Sequence, residues 1–171
     1  MLPNAPADPD LRAATAALTG AGARFVIIGG FAVVAHQYVR ATEDVDLLIP
    51  ADSANDARLD VALLSLGASW DETTEFTAGQ LAGREHSRLR TRAGRLDLLR
   101  EGAPPLDFGS VAGSAIEVDL GDGPFLVAGL ESLVAFKRLA GRPRDRSDLA
   151  ELELLHGPLP IVHVPGLDDQ S

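Results

Sequence analysis

A β-branched and aromatic run, Arg24 to Ile28, stops dead on two glycines, Gly29 and Gly30, and that stop constrains the fold more than any other feature of the chain. A strand that enters a diglycine must turn sharply, because glycine alone moves freely through the backbone conformations a tight turn needs. The stretch Phe31 to Tyr38 predicts a helix leaving that turn, and the amides at its start favour an anion. Glu43 to Ile49 predicts a second strand, in which Asp44 and Asp46 project from one face and Val45, Leu47 and Ile49 from the other. The two aspartate Cα atoms would stand roughly 6.6 Å apart at the usual strand rise, a spacing from which both carboxylates can converge on one cation. Magnesium, which takes oxygen ligands at about 2.1 Å and keeps part of its water shell, suits such a pair together with substrate phosphates.

The remaining elements follow from periodicity and punctuation. Asp8-Pro9 predicts a helix start, with Leu11, Ala14 and Leu18 at helical spacing and Gly20 and Gly22 as the stop. Ser53 is the expected cap of a helix carrying Ala57, Val61, Leu64 and Leu66 and ending at Gly67. The segment from Ser69 to Gly83 has no clean period and reads as loop. Ser87 to Arg92 and Arg95 to Arg100 predict two strands joined at Ala93-Gly94, with Asp97 inside the second as a third carboxylate for the same face. Ala115 to Leu120 and Pro124 to Val127 predict a hairpin across Gly121-Asp122-Gly123, and helices are expected over Leu130 to Leu139 and Asp145 to Leu155. The fold class is therefore α/β (α+β): a small mixed β-sheet flanked by helices, with further helices at the C-terminal end. The expected organisation is a flexible segment over 1–8, one domain over 9–155 and a tail over 156–171.

Composition bounds the function. There is no cysteine, which removes disulfides, thiolate zinc sites and a cysteine nucleophile and fits a cytoplasmic protein. No apolar run is long enough to span a bilayer, so no membrane partner is expected. The net charge of -10 argues against a surface that grips nucleic acid throughout. Yet six basic residues lie between Arg84 and Arg100 and five between Lys137 and Arg146, and these read either as faces paired with nearby acids or as polyphosphate or nucleic-acid contacts. Lys137 is the only lysine among the 15 basic residues. The histidines His36, His86, His156 and His163 lack metal-ligand spacing and read as surface or core. Gly-x-Gly-x-x-Gly and Gly-x-Ser-x-Gly are both absent, which argues against a dinucleotide fold and a serine hydrolase.

Ile28-Gly29-Gly30, a spacer of thirteen residues and Asp44-Val45-Asp46-Leu47 together resemble the nucleotidyltransferase superfamily that includes DNA polymerase beta. With Arg95-Leu-Asp-Leu-Leu99 and the stretch from Lys137 to Leu149, the chain looks like the small bacterial nucleotidyltransferases related to abortive-infection and toxin–antitoxin proteins. The resemblance implies that Gly29 and Gly30 hold nucleotide phosphates. It implies too that Asp44, Asp46 and Asp97 carry the catalysis and bind Mg2+ or Mn2+, and that Lys137 contacts the triphosphate with Asp148, or else Asp145, as its acidic partner. Three carboxylates suffice for a two-metal site, in which one ion activates the attacking oxygen and the other holds the leaving phosphates.

The expected function is metal-dependent transfer of a nucleoside monophosphate from a nucleoside triphosphate to an acceptor hydroxyl on an RNA end, a protein or a small molecule such as an aminoglycoside. The alternative is a catalytically weak module that binds a cognate toxin or antitoxin protein. Asp97 separates the two, since a module that only binds a partner has no need of a third carboxylate.

Overall fold

The computed structural model describes residues 8–168; the expected N-terminal segment lies outside them up to residue 7, as do the last three residues of the expected tail. Helix α1 (Leu11–Gly20) leads into strand β1 (Val26–Ile28), helix α2 (Gly29–Ala35), strand β2 (Asp44–Ile49) and helix α3 (Ser53–Ser65). The hairpin β3 (His86–Thr91) and β4 (Gly94–Arg100) follows, then helix α4 (Phe108–Gly113), the hairpin β5 (Ile116–Asp119) and β6 (Pro124–Val127), and helices α5 (Leu130–Ala140) and α6 (Pro143–His156). The six strands form one sheet in the order β3-β4-β2-β1-β6-β5. It is mixed: β2 runs parallel to β4 and β1 parallel to β6, while the other pairings are antiparallel.

Alternation along the strands divides the core between the two faces of the sheet. Ile27, Val45, Leu47, Ile49, Leu89, Leu96 and Leu98 pack with Ala14 and Leu18 of α1 and Leu59 and Leu63 of α3. On the opposite face Val26, Ile28 and Leu48 meet Phe108 and Val111 of α4. Asp44, Asp46 and Asp97 occupy that second face beyond the reach of α4, so the apolar cover stops where the carboxylates begin.

Several boundaries differ from the sequence expectation for local reasons. Asp10, not Asp8, caps α1: its side chain accepts from the Ala13 N–H. Residues 8 and 9 instead cross the β3–β4 turn, where the Asp10 N–H donates to the Ala93 carbonyl at 2.9 Å. Asp52, not Ser53, caps α3, its longer carboxylate reaching the Ala54 N–H. The β3–β4 loop is Arg92-Ala93, because Thr91 and Gly94 are still paired. Helix α4 was not expected; Gly109 and the preceding Pro104-Pro105 hide it, although Asp107 is its cap. The irregular segment from 69 to 83 is held by side chains. Trp70 Nε1 donates to Gln80 at 2.7 Å, Arg84 stacks 4.3 Å from the indole centroid, and Asp71 accepts from Thr73 and Thr74. At the C-terminal end Val164 is buried against Leu106 and Ala135, and Asp168 pairs with Arg138. Among the described residues no helix is long and apolar enough to cross a membrane.

Candidate active site

The antiparallel pairing of β1 with β2 sets Ile28 opposite Asp46, and the parallel pairing of β2 with β4 sets Asp46 opposite Asp97. Asp44, one step along the same face, stands opposite Arg95. The turn that ends β1 is thereby locked against the carboxylates. Gly29 has φ of +67°, and a Cβ there would collide with the Asp46 carboxylate. A Cβ on Gly30 would lie 2.6 Å from Thr42 Cγ2. Both glycines are thus required by close approach, Gly29 by its left-handed backbone as well.

Asp46 is the electrostatic centre of this arrangement. Burial pushes its carboxyl up to about 6, and the charges of Asp97 and Asp44 add to the rise, while Lys137 and the Gly30 N–H oppose it. None of the ion pairs among the described residues involves Asp46. Its neighbours are answered. Asp97 accepts from Arg88 NH2 at 2.9 Å and lies 2.8 Å from His86 Nε2, and Asp44 accepts from Arg95 at 3.4 Å. The hydrogen bonds that Arg88 donates to the Asp97 carboxylate also raise the Arg88 pKa, keeping that guanidinium charged.

Lys137 is buried, not solvated. Its Nζ stands 2.8 Å from Asp148 and 3.1 Å from Asp145. Asp148 meets Arg40 in turn, with NH2 donating at 2.9 Å and Nε 2.8 Å from the other oxygen. Burial alone would push the Asp145 carboxyl up, but hydrogen bonds from Arg142 and Lys137 outweigh it and hold the group below the usual carboxylate range. Arg144 donates to the Ala41 carbonyl. These contacts pin the α5–α6 junction to the connection between α2 and β2. The helices fold so because Gly141 closes α5 in a left-handed conformation, and Asp145 then caps the start of α6 through the Arg142 N–H.

The cleft therefore gathers Gly29, Gly30, Asp44, Asp46, Asp97 and Lys137. Asp148 lies behind Lys137, buried and outside the cleft lining, while Asp145 lines it. His86, Arg88, Arg40, Arg142 and Arg144 were not singled out as site residues from sequence; Arg88, Arg142 and Arg144 were read only as members of the two basic stretches. For the first two the signal was present: His86, Arg88 and Arg90 alternate along β3 on the face that also carries Asp97. For the other three only the fold supplies the proximity.

Among the described residues no three histidine or acidic side chains already stand as a metal cage, since Asp97 and Asp44 are turned to arginines. The donor set nonetheless fits a hard divalent cation. Its atoms are carboxylate oxygens, and Asp46 is a half-buried carboxylate pushed toward protonation by burial and by the charges of its neighbours, a condition a cation relieves.

No protein-family model matches the sequence, and no curated protein matches it. Solved structures do. ANT(2'')-Ia in complex with adenylyl-2''-tobramycin is similar at 15% identity and a TM-score of 0.54, over 84% of this chain and 86% of that one. A solution structure of ANT(2'')-Ia gives 14% identity and a TM-score of 0.56, over 85% and 81%. An antigenic nucleotidyltransferase-like protein from Paracoccidioides brasiliensis gives 18% and 0.55, over 86% and 76%. At these identities the likeness is one of fold, and the chain has the nucleotidyltransferase fold.

Proposed function

We propose that this protein is a metal-dependent nucleotidyltransferase, transferring a nucleoside monophosphate from a nucleoside triphosphate to an acceptor hydroxyl. The observation that carries the proposal is the register of Asp46 against Asp97 beside the Gly29-Gly30 turn, with Lys137 on the same cleft. Asp44, Asp46 and Asp97 are the residues that would hold Mg2+ or Mn2+. When bound, the metal supplies positive charge for the phosphoryl oxygens and lowers the acidity barrier of the acceptor hydroxyl.

The chain's own groups do the rest. The diglycine turn and the cations Lys137, Arg142 and Arg144 orient the triphosphate and offset its charge. The acceptor oxygen forms a bond to the α-phosphorus, and the bridging bond to the β-phosphate breaks, its electron pair leaving on pyrophosphate. The hydroxyl proton passes to Asp97, whose orientation Arg88 and His86 fix through hydrogen bonds.

The catalytic unit in this reading spans 9–155, with 156–171 as a tail in which Val162, Val164 and Asp168 meet α5. The four sequence blocks support a place beside the small bacterial enzymes of the abortive-infection and toxin–antitoxin type, with a cognate protein partner. The acceptors to test are an RNA 3′ end, a protein hydroxyl and an aminoglycoside such as the tobramycin adenylylated in the ANT(2'')-Ia complex. The deciding experiment incubates the protein with each labelled triphosphate, magnesium and a cell extract. Label is expected in one class of acceptor with matching pyrophosphate release, both lost in Asp46→Asn. Absence of label from every triphosphate, in a protein shown to bind one of them, would refute the proposal.

A further inference from the structure

Two lobes of different chemistry flank the carboxylate pair. We infer that the larger one takes an acceptor hydroxyl carried on a flat, largely apolar body with a carboxylate or phosphate group, and not a polycationic sugar. The inference rests on the nucleotidyl-transfer reading above.

The smaller lobe, about 180 Å3, is set apart by Gly30, Arg40, Thr42, Glu43, Asp44 and Arg144, a polar lining whose Arg144 suits a polyphosphate and whose Asp44 suits its metal ion. The larger, about 340 Å3, is walled by Ile28, Leu99, Leu133, Phe136 and Ala140. Asp46 and Asp97 line both, together with Gly29, Arg88, Lys137, Arg142 and Asp145, so the lobes meet along this seam and differ in the apolar wall of the larger one. In phosphoryl transfer the attacking and leaving oxygens stand roughly in line on opposite sides of the phosphorus. With the α-phosphate at the carboxylates and pyrophosphate leaving toward the diglycine, the attacking hydroxyl enters from the apolar lobe.

The rim of that lobe selects charge. The side chains of His86, Arg88 and Arg142 are 54%, 58% and 72% exposed there, whereas those of Asp97 and Asp145 are 10% and 2% exposed. Each of these two buried carboxylates is already answered, Asp97 by Arg88 and Asp145 by Arg142 and Lys137. Arg88 spends Nε and NH2 on Asp97, which leaves NH1 for a ligand anion. A polycation entering this lobe meets guanidinium groups and finds Asp46 as the one lining carboxylate without an ion pair. The volume is near the low end of small-molecule sites, roughly 300–1,000 Å3, and matches one ring system better than several linked sugars.

The test separates binding from turnover. The full chain, with magnesium and the α,β-methylene analogue of ATP, is titrated calorimetrically with N-acetyl-tyrosine, adenosine 5′-monophosphate and tobramycin. The same three are then offered with ATP while pyrophosphate is measured. At least one of the two anionic ring compounds is expected to bind tenfold or more tightly than tobramycin, and which of them releases pyrophosphate distinguishes a phenolic from a ribose hydroxyl. Leu99→Asp, at a position 36% exposed, places a carboxylate in the lobe and should erase that preference in a chain whose cooperative melting shows that it is folded. Tighter binding of tobramycin, binding of none of the three, or an unchanged preference in Leu99→Asp would overturn the inference. Preferential binding of an anionic ring compound with no pyrophosphate from any acceptor would support the lobe's chemistry and count against nucleotidyl transfer itself.

Discussion

Asp46 and Asp97 stand directly opposite each other on the parallel strands β2 and β4, so neither carboxylate can move away along its strand without breaking the register of the sheet. The burial and the charge of the neighbours that push the Asp46 carboxyl up to about 6 are therefore built into the fold. In the unfolded chain the group returns to 3.8. Between those values the folded state keeps a proton that the unfolded state has released, so metal-free stability falls as pH rises through the window and stays reduced above it. Asp46→Asn is expected to stabilise the metal-free protein by up to about 3 kcal/mol at pH 8, with the advantage gone by pH 3. Urea unfolding in a chelator across that range measures it; a variant less stable than the parent at pH 8 would show that the carboxylate is not held at a cost.

A divalent cation reverses that sign. Magnesium or manganese should raise the melting temperature, with a stabilisation of about 2.7 kcal/mol at a hundredfold excess over the dissociation constant. Asp46→Asn and Asp97→Asn should each reduce the shift, and Asp148→Asn should leave it in place, because Asp148 lies behind Lys137 and outside the cleft. Equal shifts in all three variants would move the metal away from this face of the sheet.

Gly29→Ala tests the lock between the turn and the carboxylates. The added methyl would need a left-handed backbone and would collide with the Asp46 carboxylate. A loss of at least about 1 kcal/mol is expected from the backbone alone, together with a weaker magnesium-induced melting shift. Gly102→Ala is the control, because nothing stands near its Cβ position. If Gly29→Ala kept the parent's magnesium response, the turn would not position Asp46.

The elements that set the carboxylates in place were legible because each follows from local chemistry. The diglycine stop, the alternation of Asp44 and Asp46 against Val45 and Leu47, and the placing of Asp97 in a strand all survive in the fold. Helix α4 was not legible, since its cap and its Phe108 and Val111 become informative only against the second face of the sheet. Nor was the partner of each arginine. The stretch from Arg84 to Arg100 reads as a basic patch in one dimension. In the fold Arg88 meets Asp97, Arg95 meets Asp44, Arg100 meets Asp56 and Arg92 meets the Ser65 carbonyl. Long-range pairing of this kind leaves no trace in sequence spacing. Lys137 was singled out correctly as unusual, yet its burial between two aspartates of α6 could not be read from an amphipathic helix pattern.

That burial changes what substitution of Lys137 should do. Removing its ammonium leaves Asp145 and Asp148 buried with only Arg142 and Arg40 to answer them, and breaking a buried pair from one side costs about 3–5 kcal/mol. Lys137→Ala should therefore destabilise the chain strongly, and Asp148→Asn added to it should recover part of the loss, a coupling of about 1 kcal/mol or more in a double-mutant cycle of unfolding free energies. Lys137→Arg should recover little, since a planar guanidinium does not replace a point charge in a site closed on two sides. The double variant separates stability from nucleotide binding. With folding partly restored and the ammonium absent, the melting shift that ATP and magnesium induce should still be missing, because its charge near the phosphates has not been replaced. If Lys137→Ala with Asp148→Asn regains both stability and the full ATP-dependent shift, Lys137 is a buried structural cation, and the triphosphate is held by Arg142, Arg144 and the diglycine turn.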